Sequence, residues 1–94
     1  MKVVWTSEAL SEIEAIVDYI AADNPKAALA LADQILTRVD EQLATNPKSG
    51  RPGRVEGTRE LIIHTAYIVA YRVTGTAVEV LAVRHTSRLW PESF

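Results

Sequence analysis

The stretch "TRELIIHTAYIVAYRVTGTAVEVLAV", residues 58–83, decides the fold of this 94-residue chain. It contains three runs rich in valine, isoleucine and tyrosine, separated by the short links Thr65-Ala66 and Thr74-Gly75-Thr76. Runs of this kind with turn residues between them are typical of β-strands joined by hairpins. The stretch therefore predicts a three-stranded antiparallel meander.

The third run predicts which face of that sheet is buried. Its alternation places Val78, Val80 and Ala82 on one face, and Leu81 and Val83 on the other. The first face is apolar and the second is mixed. We expect other elements of the chain to cover the apolar face.

Upstream of the meander, the periodicity changes to that of helices. The run "KVVW" at 2–5 predicts a short strand, and Thr6 or Ser7 is suited to cap a helix over about 7–22. Asn24 and Pro25 are typical of the start of a second helix, which we expect over about 25–44. The short link between the helices predicts an antiparallel hairpin.

These elements predict an α+β fold. Four residues of β pattern are not stable alone, so the first strand is expected to join the meander. The predicted architecture is a β-αα-βββ two-layer sandwich, formed by one domain over residues 1–94. The helical hairpin is expected to cover the sheet.

Composition argues against several classes of protein. The chain has no cysteine, and His64 and His85 do not lie at a metal-ligand spacing, so we predict neither a metal nor a cofactor. No apolar run approaches the length of a membrane span, and "MKVVWTSEAL" lacks the features of a signal peptide. A cytoplasmic location is expected.

Charge is divided unevenly along the chain. The net charge is −2, but residues 1–47 hold three basic and eight acidic side chains, whereas residues 48–94 hold seven and four. The second half is therefore suited to an anionic partner, although mutual attraction of the two halves explains the division equally well.

The segment "GRPGRVEGTREL", residues 50–61, concentrates this basic charge. We predict a turn at Gly50, Pro52 and Gly53, because glycine permits positive φ angles. Arg51 and Arg54 are predicted contacts for an anion or for an acidic partner. Arg59 lies within the first meander strand and is equally suited to pair with a neighbouring acid.

The ordered segments resemble those of the RelE/ParE superfamily, the toxins of bacterial type II toxin-antitoxin pairs, and are closer to ParE-like members. The resemblance rests on "SEALSEIEAIVDYIAADNPKAA", "NPKSGRPGRVEGTREL", "YIVAYRV" and "VEVLAVRHTSRLWP". It implies a helical hairpin on a curved sheet and a cytoplasmic toxin neutralised by an antitoxin. It leaves the activity open, because RelE-like members cut mRNA on the ribosome, whereas ParE-like members poison DNA gyrase.

The residues differ from what the resemblance implies for a ribonuclease. Such an enzyme needs groups that move protons and a cation for the phosphate. Ile68 stands where RelE-like sequences carry an arginine, and Lys48 is the last lysine of the chain. If the chain is nevertheless a ribonuclease, the candidate catalytic residues are His85, Arg54, Arg59 and Arg84, with Tyr67 and Tyr71 also available.

The C-terminal stretch "RHTSRLWPESF" resembles the tail that ParE-like sequences carry, a region that the resemblance links to toxicity. His85, Arg88 and Trp90 are therefore predicted to contact gyrase. A structural role is an equal alternative, in which Trp90 covers an edge of the core and Arg88 pairs with an acid on the first helix.

The resemblance also implies a partner, a ParD-like antitoxin with a ribbon-helix-helix DNA-binding part and an acidic tail. Three functions remain open. The leading hypothesis is a non-enzymatic gyrase inhibitor, and the second is a ribosome-dependent mRNA endoribonuclease. The third is a member of the superfamily that has lost its toxicity and remains as an antitoxin-binding or plasmid-stabilising protein.

Overall fold

Two helices pack on one face of a five-stranded sheet in the computed structural model, which describes residues 1–63 and 66–86. The elements, in chain order, are β1 (Lys2–Trp5), α1 (Ser7–Ala21), α2 (Pro25–Thr45), β2 (Arg51–Pro52), β3 (Arg59–Ile63), β4 (Tyr67–Val73) and β5 (Ala77–His85). The strand order across the sheet is β1-β5-β4-β3-β2. This confirms the predicted α+β fold.

The sheet is antiparallel except at one edge. β3, β4 and β5 form the predicted meander, and β1 joins it parallel to β5, with Lys2 opposite Ala77 and Trp5 opposite Val80. The fifth strand, β2, lies within the segment predicted as a turn, where Arg51 pairs with Glu60. Two residues carry too little periodicity to indicate a strand.

The helices begin where their capping residues predict. Thr6 Oγ1 accepts a hydrogen bond from the Ala9 N–H at 3.2 Å and donates one to the Val80 carbonyl at 2.7 Å, so the same hydroxyl caps α1 and binds it to β5. Asn24 Oδ1 accepts from the Ala27 N–H at 3.1 Å, one residue before Pro25 opens α2.

The core lies between the helical hairpin and the sheet. Its fully buried side chains come from α2, β4 and β5 in particular, and Trp5, Ile16 and Leu36 pack against it partly buried. The main buried residues are Ala9, Ile13, Ile35, Val39, Leu43, Leu61, Ile63, Val69, Tyr71, Val78, Val80 and Val83. By contrast, Leu29 is 69% exposed.

One prediction about the faces of β5 is wrong. Val83, not Ala82, joins the core cluster with Val78 and Val80. The register shifts between Ala70 and Tyr71, because Ala70 pairs with Ala82 whereas Tyr71 pairs with Val80. Leu81 is thus an extra residue on β5, and such a bulge moves all following side chains to the opposite face.

Among residues 1–63 and 66–86, neither helix combines the length and the apolar character needed to cross a membrane.

Candidate functional site

The arginine-rich segment folds around a buried carboxylate. Glu60 lies on β3, and only 2% of its side chain is exposed. Arg51 donates to Glu60 Oε1 from Nη2 at 3.0 Å and from Nε at 3.3 Å. Arg54 donates to Oε2 from its backbone N–H at 2.9 Å and from Nε at 3.2 Å. We call these three residues the arginine corner.

The charge of the corner is partly compensated and partly presented to solvent. The side chains of Arg51 and Arg54 are 50% and 44% exposed, although both contact the same buried acid. Two guanidinium groups and one carboxylate leave a net charge of about +1. The predicted anion contacts are therefore brought together, and a carboxylate holds them in place.

The surroundings of Glu60 decide its protonation. Burial by itself raises the pKa of the Glu60 carboxyl, but the Arg54 backbone N–H, the Arg51 side chain and the charge of Arg54 outweigh burial. The net result is a pKa below the ordinary value of 4.5. The carboxylate therefore stays ionised at neutral pH, as a structural counter-ion requires.

A buried tyrosine holds the start of this segment. Tyr71 Oη accepts a hydrogen bond from the Gly50 N–H at 2.8 Å, and Tyr71 is fully buried. A Cβ atom on Gly50 would lie 2.6 Å from Tyr71 Oη and 2.7 Å from the Glu60 carbonyl oxygen. Close approach, not a positive φ, therefore requires glycine here; the positive φ of +79° is at Gly57.

Arg59 does not belong to the arginine corner. Its Nη1 donates to the Gly50 carbonyl at 2.7 Å and to the Lys48 carbonyl at 3.3 Å. It is the neighbour of Glu60 on β3, so it points to the opposite, helix-facing side of the sheet. Its observed contacts with backbone carbonyls differ from the predicted pairing with an acid.

His85 and Arg84 line a groove between α1 and the end of β5. The groove has a volume of about 370 Å³, and Tyr19 and Tyr67 contribute to its walls. The His85 ring packs edge-on against Tyr67, with centroids 5.6 Å apart and an interplanar angle of 88°. An imidazole, a guanidinium and two phenols thus share one opening.

Glu12 of α1 holds Arg84 and also the edge of β5. Arg84 Nε donates to Glu12 Oε2 at 3.0 Å, and the Val83 backbone N–H donates to Glu12 Oε1 at 3.3 Å. Among the described residues, β1 ends at Trp5 opposite Val80, so it does not reach Val83. The carboxylate therefore accepts a hydrogen bond that a longer β1 would have accepted.

The candidate ribonuclease residues are divided between these places. Arg54 is held by Glu60 on β3, which lies two strands from β5. Glu60 pairs with Ala70 of β4, and Ala70 is three residues along β4 from Tyr67, the partner of His85. Two strand spacings and a rise of three residues place the Cα atoms of Glu60 and His85 about 14 Å apart. Arg59 faces the helices, and Tyr71 is buried. Of the described candidates, Arg84, His85 and Tyr67 come together, in the groove beside α1.

Ile68 occupies the position where the resemblance implies a phosphate-binding arginine. It is 2% exposed and lies opposite Arg84 on β5. A buried aliphatic side chain offers no charge to a phosphate. Arg88 and Trp90, the predicted gyrase contacts, lie outside the described residues.

Two structurally important acids were missed by the sequence analysis. Glu60 directly precedes three apolar residues in "RELII", so an acid there signals either an exposed face or a buried ion pair. Three nearby arginines favour the second interpretation. Glu12 carries no comparable signal, because helix periodicity does not indicate that β1 is shorter than β5. Among the described residues, no group of histidine, aspartate and glutamate side chains is arranged to hold a metal.

Comparison with known proteins identifies the family. The family model of the ParE toxin of the type II toxin-antitoxin system, parDE, matches residues 3–90. The chain belongs to the ParE toxin family. Similarity also extends over whole chains: Y4kP of Sinorhizobium fredii is 42% identical over 92 residues, which cover 97% of this chain and 94% of Y4kP.

Two further proteins are similar over most of this chain. Toxin RelE2 of Caulobacter vibrioides is 38% identical over 88 residues, which cover 94% of this chain and 98% of RelE2. A solved structure, described as the chromosomal ParDE TA system from P. aeruginosa, superposes with a TM-score of 0.81 at 28% identity, and the match covers 90% of this chain and 95% of that chain. The RelE/ParE resemblance is confirmed: this chain is a toxin of that superfamily.

Proposed function

We propose that this ParE-family toxin inhibits DNA gyrase without catalysis and that a ParD-like antitoxin neutralises it. The observation that supports this proposal is the division of the ribonuclease candidates. Arg54 binds Glu60, Arg59 binds backbone carbonyls on the other side of the sheet, and Tyr71 is buried. A phosphoryl-transfer site needs its proton-transfer groups and its cation within hydrogen-bond reach of one phosphate.

The gyrase proposal predicts a specific pattern of inhibition. Purified toxin added to gyrase is expected to block supercoiling and to accumulate cleaved DNA, while translation on programmed ribosomes continues. Trp90→Ala is expected to weaken the gyrase effect at least tenfold, because a buried aromatic anchor commonly contributes about 2 kcal/mol or more to an interface. The matched control is Leu29→Ala, which changes an exposed side chain on α2.

Two results would reject the proposal. One is unimpaired gyrase with stalled translation and cleaved mRNA. The other is a Trp90→Ala protein that is folded by circular dichroism and inhibits gyrase as well as the Leu29→Ala control does.

The second candidate, a ribosome-dependent endoribonuclease, is favoured by the groove of Arg84, His85 and Tyr67. His85 is exposed, and Arg84 supplies a cation beside it. In this alternative, His85→Ala removes mRNA cleavage. A gyrase inhibitor keeps its DNA effect without any step that depends on proton transfer at His85.

A further inference from the structure

We propose that the arginine corner is a binding site for an acidic polypeptide segment and that Glu60 is its positioning residue. Arg51 and Arg54 would contact carboxylates of the segment, while the buried Glu60 carboxylate fixes their guanidinium groups. In a toxin-antitoxin pair the natural source of the segment is the antitoxin, and only this assignment of source rests on the proposed function.

The geometry of the corner supports a preformed site. Both arginines are about half exposed, yet each is bound through Nε to a carboxylate that is almost fully buried. Binding through Nε fixes the plane of a guanidinium group and therefore the direction of its remaining N–H groups. A ligand then meets side chains that have already lost much of their rotational freedom, which lowers the entropic cost of binding.

Hydrogen bonds within the loop also hold the backbone around the arginine corner. Gly53 donates its N–H to the Thr58 carbonyl at 2.8 Å, and Thr58 Oγ1 donates to the Val55 carbonyl at 2.6 Å. Val55 and Thr58 are both buried. The loop between β2 and β3 is therefore closed by its own hydrogen bonds before any partner arrives.

The charge of the surroundings favours a short acidic peptide over nucleic acid. The corner offers a net charge of only about +1, and the chain as a whole carries −2. Nucleic-acid binding usually draws on many phosphate contacts along a basic surface. One or two carboxylates, in contrast, match two guanidinium groups and need no further basic surface.

Substitution of Glu60 tests the proposal, because two explanations predict opposite changes in the affinity for an acidic peptide. If only local charge matters, Glu60→Gln removes a negative charge and tightens the binding of an anion. If Glu60 positions the arginines, the same change weakens binding, because the guanidinium groups lose their ionic anchor. A purely structural role would change the melting temperature without weakening binding by the folded protein.

The experiment uses the full chain and a fluorescein-labelled poly-glutamate peptide, with anisotropy as the readout at low and moderate salt. Arg51→Lys and Arg54→Lys keep the charge but lose the planar fork, and each is expected to weaken binding about tenfold. Glu60→Gln is expected to weaken it by a similar factor. Arg38→Ala, at an exposed arginine on α2, is the matched control and is expected to bind as the wild type does.

Circular dichroism establishes that each variant is folded at the temperature of measurement. If Glu60→Gln is unfolded, the two lysine variants decide the question, because they leave the carboxylate in place. The proposal is overturned if the wild type does not bind the peptide at low salt. It is also overturned if Arg38→Ala weakens binding as much as the lysine variants do, if folded Glu60→Gln binds more tightly, or if an oligonucleotide of equal charge binds more tightly than the peptide.

These outcomes are independent of the gyrase assay. A toxin that leaves gyrase unaffected can still bind poly-glutamate at the arginine corner, and a gyrase inhibitor can fail to bind it.

Discussion

At the scale of single residues, Tyr71 connects the loop after α2 to the centre of the sheet. Tyr71 was a candidate catalytic residue in the sequence, but its hydroxyl is buried and accepts a hydrogen bond from the Gly50 N–H at 2.8 Å. Periodicity predicts which face of β4 carries the tyrosine but does not predict the hydrogen-bond partner of its hydroxyl. The partner, Gly50, lies 21 positions away in the chain.

Tyr71→Phe is expected to lower the free energy of unfolding by about 1–3 kcal/mol, because it leaves the buried Gly50 N–H without an acceptor. Urea denaturation monitored by circular dichroism measures the change. Tyr19→Phe is the control, since Tyr19 is 84% exposed and is expected to change the midpoint little. Equal midpoints for the two variants would mean that the hydrogen bond contributes nothing measurable.

Ionisation of Glu60 makes the free energy of unfolding depend on pH in the acidic range. Its pKa in the folded protein is below the ordinary value, so the unfolded chain takes up a proton at a higher pH than the folded chain does. The stabilisation is therefore present above a pH of about 4.5 and is lost as the pH falls through the lower, folded-state pKa.

Thermal melts between neutral pH and pH 3 measure this effect. The wild type is expected to lose stability below a pH of about 4.5, and Glu60→Gln is expected to be less stable at neutral pH and to show a shallower decline. Parallel curves for the two proteins would show that the Glu60 ion pairs contribute no pH-dependent stability. Glu56→Gln, at an exposed acid in the same loop, provides the comparison.

At the scale of elements, the beginning of α1 is also a contact with the sheet. Thr6 caps the helix and donates to the Val80 carbonyl, so Thr6→Ala removes two hydrogen bonds at once. A loss of about 1–2 kcal/mol in unfolding free energy is expected, at the upper end for a helix cap. Chemical denaturation measures it, with Ser7→Ala as the control, because the Ser7 hydroxyl contacts only the neighbouring exposed Glu8 side chain among the described contacts. A Thr6→Ala protein as stable as Ser7→Ala would contradict this account.

The elements also show which parts of the fold are predictable. The helix boundaries follow from Thr6, Asn24 and Pro25, because caps act within one turn of the chain. β2 and the Leu81 bulge were missed, because both depend on which residues lie opposite them in the sheet. The pairing of Arg51 with Glu60 and the skipped pairing at Leu81 are properties of two strands together, and neither strand's own sequence contains them.

At the scale of the whole molecule, the uneven charge has a partly internal explanation. Acidic Glu12 in the first half binds basic Arg84 in the second, as expected if the halves attract each other. Within the second half, however, Arg51 and Arg54 bind Glu60, an acid of the same half. The arginines concentrated at 51–59 were therefore predictable as a cluster, whereas their division between two faces of β3 was not, because it depends on strand register.

The carboxylate of Glu12 has a further consequence for how this chain behaves in a crowded solution. A sheet margin with an available backbone N–H can recruit a strand from a second molecule, and repeated recruitment leads to aggregation. By accepting the Val83 N–H and pairing with Arg84, Glu12 places a charged side chain where such a strand would begin. One acid on a helix is therefore expected to disfavour association between copies at this sheet edge, beyond the end of β1.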